Sequence, residues 1–249
     1  MVKLDCPAYK FTCMNILAFD TCFDACSVCV ARHGHNGVDE LASTSERFAT
    51  GHAEKLIPFI GDSMSRAGVT FADIDRIAVT IGPGTFTGTR IGIAAARGLA
   101  IARQFEIVST TSLAVMADVA VSKLDSHRPN RDLAVAVDAR RDQVYVQLFG
   151  TGGLDAKSQP MLLSVDEASN IGGEGPLLIA GSGSEAIAAA ARQHGREASA
   201  HFADLLPEAC ALARMAIALP IVEGALIPLY LRSPDAKPQD GKAIARAKS

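Results

Sequence analysis

The sequence predicts an α/β fold made of two related halves, each a sheet with helices on its faces. Three observations carry this expectation. Two apolar strands end in an aspartate, Ile16-Leu-Ala-Phe-Asp20 and Leu133-Ala-Val-Ala-Val-Asp138. Six residues beyond each aspartate a second apolar strand begins, at residues 26–31 and 144–149. Each half then carries an apolar strand that runs into a glycine turn and opens a helix, at residues 77–84 and 177–183. The same pattern met twice in the same order is the mark of an internal duplication. Asp20 to Gly82 spans 62 positions and Asp138 to Gly181 spans 43, so the second copy is trimmed.

The elements follow in chain order. Residues 1–13 contain charges and Pro7 and no apolar core of the signal-peptide kind, and are expected to be a flexible extension. A strand at 14–20 is followed by a turn at 21–25, a strand at 26–31, a turn at 34–37 and a third strand at 38–44. A helix begins near Thr50 or Gly51. Ala53, Leu56, Ile57, Ile60 and Met64 recur at helical spacing and form one core-facing stripe. Pro58 inside it is expected to kink it, and Gly68 to end it. Residues 75–81 read as a buried strand entering Gly82-Pro-Gly-Thr-Phe-Thr-Gly88, with a helix over 89–103 behind it. A short strand at 106–109, a helix at 112–124 and a polar linker at 126–131 complete a first half over 14–125. The second half, 126–233, holds a helix at 185–194 and another at 207–219 that could return to the first half. An extended piece at 226–231 closes in Tyr230-Leu-Arg232. Residues 234–249, rich in Lys, Asp, Ala and Pro, read as a mobile tail.

Composition excludes several functions. Apolar residues make up 49% and charged residues 20%, enough to fill a core and too apolar for disorder. A net charge of −3 argues against a basic nucleic-acid glove, and aromatics at 5% with no Trp argue against a stacking platform for single strands. No apolar run reaches the ~20 residues of a membrane helix, so a cytoplasmic protein with reduced cysteines is expected.

Four groups of residues could carry chemistry. Cys22, Cys26 and Cys29 have the C-x3-C-x2-C spacing of a cluster-binding radical enzyme. On a strand, however, Cys26 and Cys29 point to opposite faces, which favours three small buried hydrophobes. The loop Gly82-x-Gly84, with Thr85, could offer backbone N–H groups and a helix start to a phosphate. Its rival is packing, because Gly88, Gly92, Ala94, Ala95, Ala96, Gly98 and Ala100 make a small-residue helix suited to close helix–helix contact. Asp20 with Thr21, and Asp138, sit at hairpin tips where actin-like and sugar-kinase-like folds hold magnesium and phosphate; the plainer alternative is a turn-forming aspartate. His52 would bind metal on a helix if a second histidine stood four residues on, but residue 56 is Leu. The expectation is no metal held by this chain.

The runs Ile16-Leu-Ala-Phe-Asp-Thr21, Ala25-Cys-Ser-Val28 and Gly82-Pro-Gly-Thr-Phe-Thr-Gly-Thr-Arg-Ile-Gly92 together resemble the TsaB (YeaZ) family, with Val137-Asp-Ala-Arg140, Val144-Tyr145 and Tyr230-Leu-Arg232. The likeness runs from about Met14 to Arg232. It implies the two-halved fold of the actin-like/sugar-kinase (ASKHA) superfamily. It also implies a part in making threonylcarbamoyladenosine at position 37 of tRNA. In the related TsaD, the catalytic subunit of the wider glycoprotease or peptidase M22 family, a His-x-x-x-His helix holds the metal. Here Leu56 stands in the second place, which implies a non-catalytic scaffold with no catalytic residues of its own.

The resemblance also implies that the helices 51–66 and 89–103 form a homodimer when the chain is alone, or a heterodimer with TsaD. On the first helix this puts His52, Lys55, Phe59, Ser63 and Arg66 at the partner face, and on the second Arg90, Ile93, Ala94 and Arg97. Phe86, Gly88, Gly92, Arg140, Tyr230 and Arg232 are motif residues with an implied structural role. ATP and metal would belong to the partners, TsaD and the ATPase TsaE, and tRNA would be met through the complex. The rival reading is a nucleotide-dependent kinase-like enzyme or a metallopeptidase, built on Asp20, Gly82 and Asp138.

Overall fold

The computed structural model describes residues 13–124, 131–150 and 155–232. The flexible extension, the linker at 126–130 and the mobile tail expected from the sequence lie outside those residues, Cys13 and Arg131 apart.

The first half runs β1 (Met14–Asp20), β2 (Ala25–Gly34), β3 (Gly37–Arg47), α1 (His52–Ala67), β4 (Arg76–Thr80), α2 (Phe86–Ala102), β5 (Glu106–Thr110) and α3 (Ser112–Lys123). The second runs β6 (Leu133–Asp138), β7 (Gln143–Phe149), β8 (Met161–Ser164), α4 (Val165–Ser169), β9 (Leu177–Ala180), α5 (Ser184–Gln193), β10 (Ala198–His201) and α6 (Ala209–Met215). The two sheets have the same plan. In the order β3-β2-β1-β4-β5, the first three strands are an antiparallel meander and the last two join in parallel; β8-β7-β6-β9-β10 repeats this strand for strand. Gly82 after β4 and Gly181 after β9 share nearly the same left-handed backbone, φ 101° and 102°. The duplication read from the sequence is therefore present in the backbone.

Three apolar clusters stack the layers. Leu17, Val28, Ile60 and Ile93 join α1 and α2 to the outer face of the first sheet. Ile16, Cys29, Met116, Leu133 and Leu212 form the cluster between the two sheets, with α3 and α6 inside it. Ala136, Val146 and Ile187 join α4 and α5 to the far face of the second sheet.

Local differences from the sequence reading have physical causes. The stripe on α1 is narrower than expected. Leu56, Ile60 and Met64 are buried, but Ala53 is exposed and Ile57 is 56% exposed, with His52 and Ser63 facing inward instead. The helix runs on through Pro58; the carbonyl that Pro58 leaves without a partner belongs to Glu54, on the solvent side. Gly68 ends it in a left-handed conformation, as expected. The second helix starts at Phe86 rather than Thr89, because the Thr85 side chain accepts from the Gly88 N–H and caps it. The short elements β8, α4 and β10 had no periodicity long enough to read, and residues 226–231 lie outside every strand. No helix among the described residues is long and apolar enough to cross a membrane.

Candidate functional site

Between the two halves lies a cleft of about 730 Å³. Both strand-end aspartates close a turn beside it in the same way. The Cys22 N–H donates to Asp20 Oδ1 at 3.2 Å, and the Arg140 N–H to Asp138 Oδ1 at 2.8 Å. Each carboxylate thus accepts from the residue two positions on, the turn-forming role for aspartate. Their surroundings then diverge. Asp138 is exposed on the cleft wall with Arg140 and Ser182, whereas Asp20 is 1% exposed beneath its floor. The Thr80 hydroxyl donates to the second oxygen of Asp20. Burial pushes the Asp20 carboxyl up to about 6, against the opposing pull of Thr80, the Cys22 N–H and the charge of His52.

The glycine loop is closed onto the same turn. The Thr85 N–H donates to the Cys22 carbonyl at 2.7 Å, and the Ser112 N–H to the Gly82 carbonyl at 2.9 Å. Thr21 turns its hydroxyl to the Gly88 carbonyl at 2.7 Å. A Cβ on Gly84 would collide with the Cys22 carbonyl, and one on Gly92 would lie 2.7 Å from Thr21 Oγ1. The glycines here are required by a helix pressed onto its own β1–β2 turn, so the expectation that Gly88 and Gly92 serve a helix–helix contact is corrected. Of the six candidate nucleotide residues, Gly84, Thr85 and Asp138 line the cleft, while Asp20, Thr21 and Gly82 are buried, with the Asp20 carboxylate, the Thr21 hydroxyl and the Gly82 carbonyl hydrogen-bonded within the chain. Both oxygens of Asp20 already accept hydrogen bonds from the chain itself, one from the Cys22 N–H and the other from the Thr80 hydroxyl. The cleft offers Asp24, Asp138 and Asp204 against Arg47 and Arg140, and Arg47 is already paired with Asp204 at 3.5 Å.

The cysteines separate as strand geometry requires. Cys22 and Cys29 enter the cluster between the sheets, Cys26 the outer one, and Cys22 Sγ lies 3.2 Å from Thr80 Oγ1. Three such thiols cannot share one iron–sulfur cluster.

On α1, His52 is buried. Its Nε2–H donates to the Phe23 carbonyl at 2.8 Å, and its ring packs edge-on against Phe48. Leu56, one turn on, is in the core. Three of the nine residues expected at the partner face, His52, Ser63 and Ile93, are thereby placed in the chain's own core, because the face they share points toward the sheet. Lys55 and Phe59 are half-buried, with Lys55 paired to Glu46 at 2.6 Å. Arg66, Arg90, Ala94 and Arg97 are exposed.

The motif residues near the C-terminus prove to be a strap. The Leu229 N–H donates to the Ile81 carbonyl and the Val222 N–H to the Ile107 carbonyl. Tyr230 stacks on Phe86 and accepts from Arg90 Nε at 2.6 Å. Arg232 donates to Gln143 Oε1 at 2.8 Å, behind a turn in which Arg140, Arg141 and Asp142 all have positive φ. Three consecutive left-handed residues are costly, and Arg232 helps to hold them.

Comparison with known proteins fits this architecture. A YeaZ-like protein and YeaZ, both from Pseudomonas aeruginosa, superpose with TM-scores of 0.70 and 0.71. They are 30% and 29% identical, and cover 88% of this chain and 100% of theirs. The profile of the TsaD family, tRNA N6-adenosine threonylcarbamoyltransferase, matches residues 44–224. The chain belongs to this family, in its TsaB/YeaZ branch.

The TsaB protein of Escherichia coli is 35% identical over 133 residues, and that of Haemophilus influenzae 32% over 133. The chain spans about half the length of these curated TsaB relatives. An uncharacterized Mycobacterium tuberculosis protein is 29% identical over 90% of this chain and 94% of its own length.

Proposed function

We propose that this chain is a non-catalytic partner subunit in the formation of threonylcarbamoyladenosine in tRNA, pairing through α1 and α2 with a TsaD-type catalytic subunit. The names of the TsaB relatives support the pathway. The observation that carries the non-catalytic role is the state of α1. Its one histidine is committed to the Phe23 carbonyl, and Leu56 fills the core where a second metal ligand would have to stand.

The outer surface of the helix pair supports the pairing. Ile57, Ala94 and Ile101 are exposed, Ile101 at 88%. Gly61 and Gly98, inside the two helices, have open space where a Cβ would sit. A helical glycine costs about 1 kcal/mol relative to alanine. No contact among the described residues requires either one, and close approach by another helix gives both a reason. Alone, the chain covers this face by pairing with a second copy. ATP and the catalytic metal reside on TsaD and TsaE, tRNA is bound by the assembly, and the work is done in the cytoplasm.

An omission assay tests this. Modified adenosine is followed with tRNA, threonine, bicarbonate, ATP, the carbamoyl-AMP synthase, TsaD and TsaE, with and without this chain. Product that requires both this chain and TsaD is expected. Product without TsaD would make this chain the catalyst, and product indifferent to this chain would remove it from the pathway.

A further inference from the structure

The inner face of the first sheet carries a donor group that partner pairing does not use. Cys29 on β2, Glu40 on β3 and Cys210 on α6 each present one ligand atom, and the two sulfurs and the carboxylate oxygen all lie within 4.8 Å of one another. Distant parts of the chain supply them, and each is brought in by its own structural device.

Cys29 faces inward by strand alternation. Glu40 does so because of a bulge. Cys29 opposes Ser43 and Val30 opposes Ala42, but Ala31 opposes Glu40, so Leu41 is an extra residue in β3. In unbroken register Glu40 would oppose Arg32 and point to the other face. With the bulge, Glu40 and Ser43 share the face of Cys29, and Leu41 packs into the outer cluster. The Ser43 hydroxyl donates to Glu40 Oε1 and orients the carboxylate. Cys210 is set by α6: Ser27, two residues before Cys29 on the same face of β2, accepts the Ala209 N–H at 2.8 Å. That bond seats the start of α6 over the sheet with Cys210 against Cys29. Cys210 and Ser43 also line a cavity of about 300 Å³, which gives an ion and its water a way in.

We propose that Cys29, Glu40 and Cys210 bind one zinc ion, which staples α6 to the first sheet, with water as the fourth ligand. Two thiolates and a carboxylate are a donor set that zinc accepts in tetrahedral geometry, with Zn–S of about 2.3 Å and Zn–O of about 2.0–2.2 Å. Two sulfurs on such an ion stand roughly 3.8 Å apart, so donors already within 4.8 Å close by small side-chain rotations. Binding breaks two S–H bonds, forms two Zn–S bonds and releases two protons to solvent. Glu40 binds as its carboxylate. The site is independent of the helix face and of catalysis.

The test uses the reduced full-length chain. Zinc is counted by mass spectrometry after equilibration with excess zinc and desalting. Cobalt(II) is titrated in as a spectroscopic stand-in, read by its thiolate charge-transfer band. One zinc per chain and a cobalt band are expected for the wild type and for Cys26→Ala, whose thiol lies on the opposite face. Both signals are expected to vanish in Cys210→Ala, a half-exposed position where the fold tolerates alanine, and in Cys29→Ser. Glu40→Gln should weaken cobalt affinity at least tenfold. Added zinc should raise the melting temperature of the wild type and leave that of Cys210→Ala unchanged. Absence of a cobalt band from the reduced wild type would overturn the proposal, as would equal zinc content in wild type and Cys210→Ala.

Discussion

The carbonyl oxygen of Thr21 occupies the place where a side chain on Gly88 would begin, and the Thr21 hydroxyl holds the same residue by donating to the Gly88 carbonyl at 2.7 Å. The β1–β2 turn and the first turn of α2 are therefore one packed unit. Two of the three glycines of α2, those at positions 88 and 98, have opposite reasons to exist.

Gly88→Ala forces the helix off the turn and is expected to destabilise the chain by about 1–3 kcal/mol or more, as overpacking does. Gly98→Ala meets no atom of the described residues. It is expected to stabilise the isolated fold by up to about 1 kcal/mol through helix propensity. Urea denaturation of the two variants beside the wild type reads both signs. A neutral Gly88→Ala would contradict the packing account.

Asp20 ties stability to pH in an unusual direction. Its carboxyl is pushed up to about 6 in the folded chain from an ordinary 3.8, mainly by burial. Between those values the folded state holds the proton more tightly than the unfolded state. Its contribution is complete below about pH 4, is lost as pH rises, and is gone above about pH 6, a change of up to about 3 kcal/mol. Asp20→Asn keeps a neutral group there and should remove that part of the slope. Denaturation midpoints of the two proteins from pH 4 to 7 test this, and parallel curves would show that the carboxyl titrates as an ordinary solvated one.

The partner face can be broken without touching the core. Ile101→Glu and Gly98→Arg place charge and bulk on the exposed stripe of α2; the first is expected to change folding stability by less than about 0.5 kcal/mol, and the second to raise it by up to about 1 kcal/mol through helix propensity. Self-association by light scattering, and co-purification with a TsaD-type subunit, should both fall at least tenfold. Unchanged association would move the interface elsewhere on the molecule.

Much of this was legible because it is local. The aspartate that ends each first strand, the glycine turn before each second helix and the left-handed Gly68 are written in neighbouring residues. The inward turn of His52 was not legible, since its partner is the Phe23 carbonyl, 29 residues away. The reason for Gly88 was misread for a similar cause: small residues announce a close approach without saying to what. The bulge at Leu41 is a matter of register between two strands, and a single strand read alone shows apolar and polar positions without their pairing. The meeting of Cys29 with Cys210 depends wholly on the return of α6. Tyr230 and Arg232 stood out as a motif, but their work as a strap across both halves appears only once Phe86, Arg90 and Gln143 are in place.

The return of α6 has a consequence for the order in which the chain can be completed. Ser27 in β2 waits for the N–H of Ala209, and the Arg76 guanidinium reaches the Ala216 carbonyl at 2.9 Å. The inner face of the first sheet, with Ile16, Ala18 and Ala31, is closed by Leu212 and Ala213 of α6. On a ribosome the first half therefore emerges early and stays open on one side until nearly all of the second half has been made. The earliest strands are sealed by one of the last helices, so a nascent chain stopped before residue 209 carries an uncovered apolar sheet, the kind of surface that chaperones hold and proteases find.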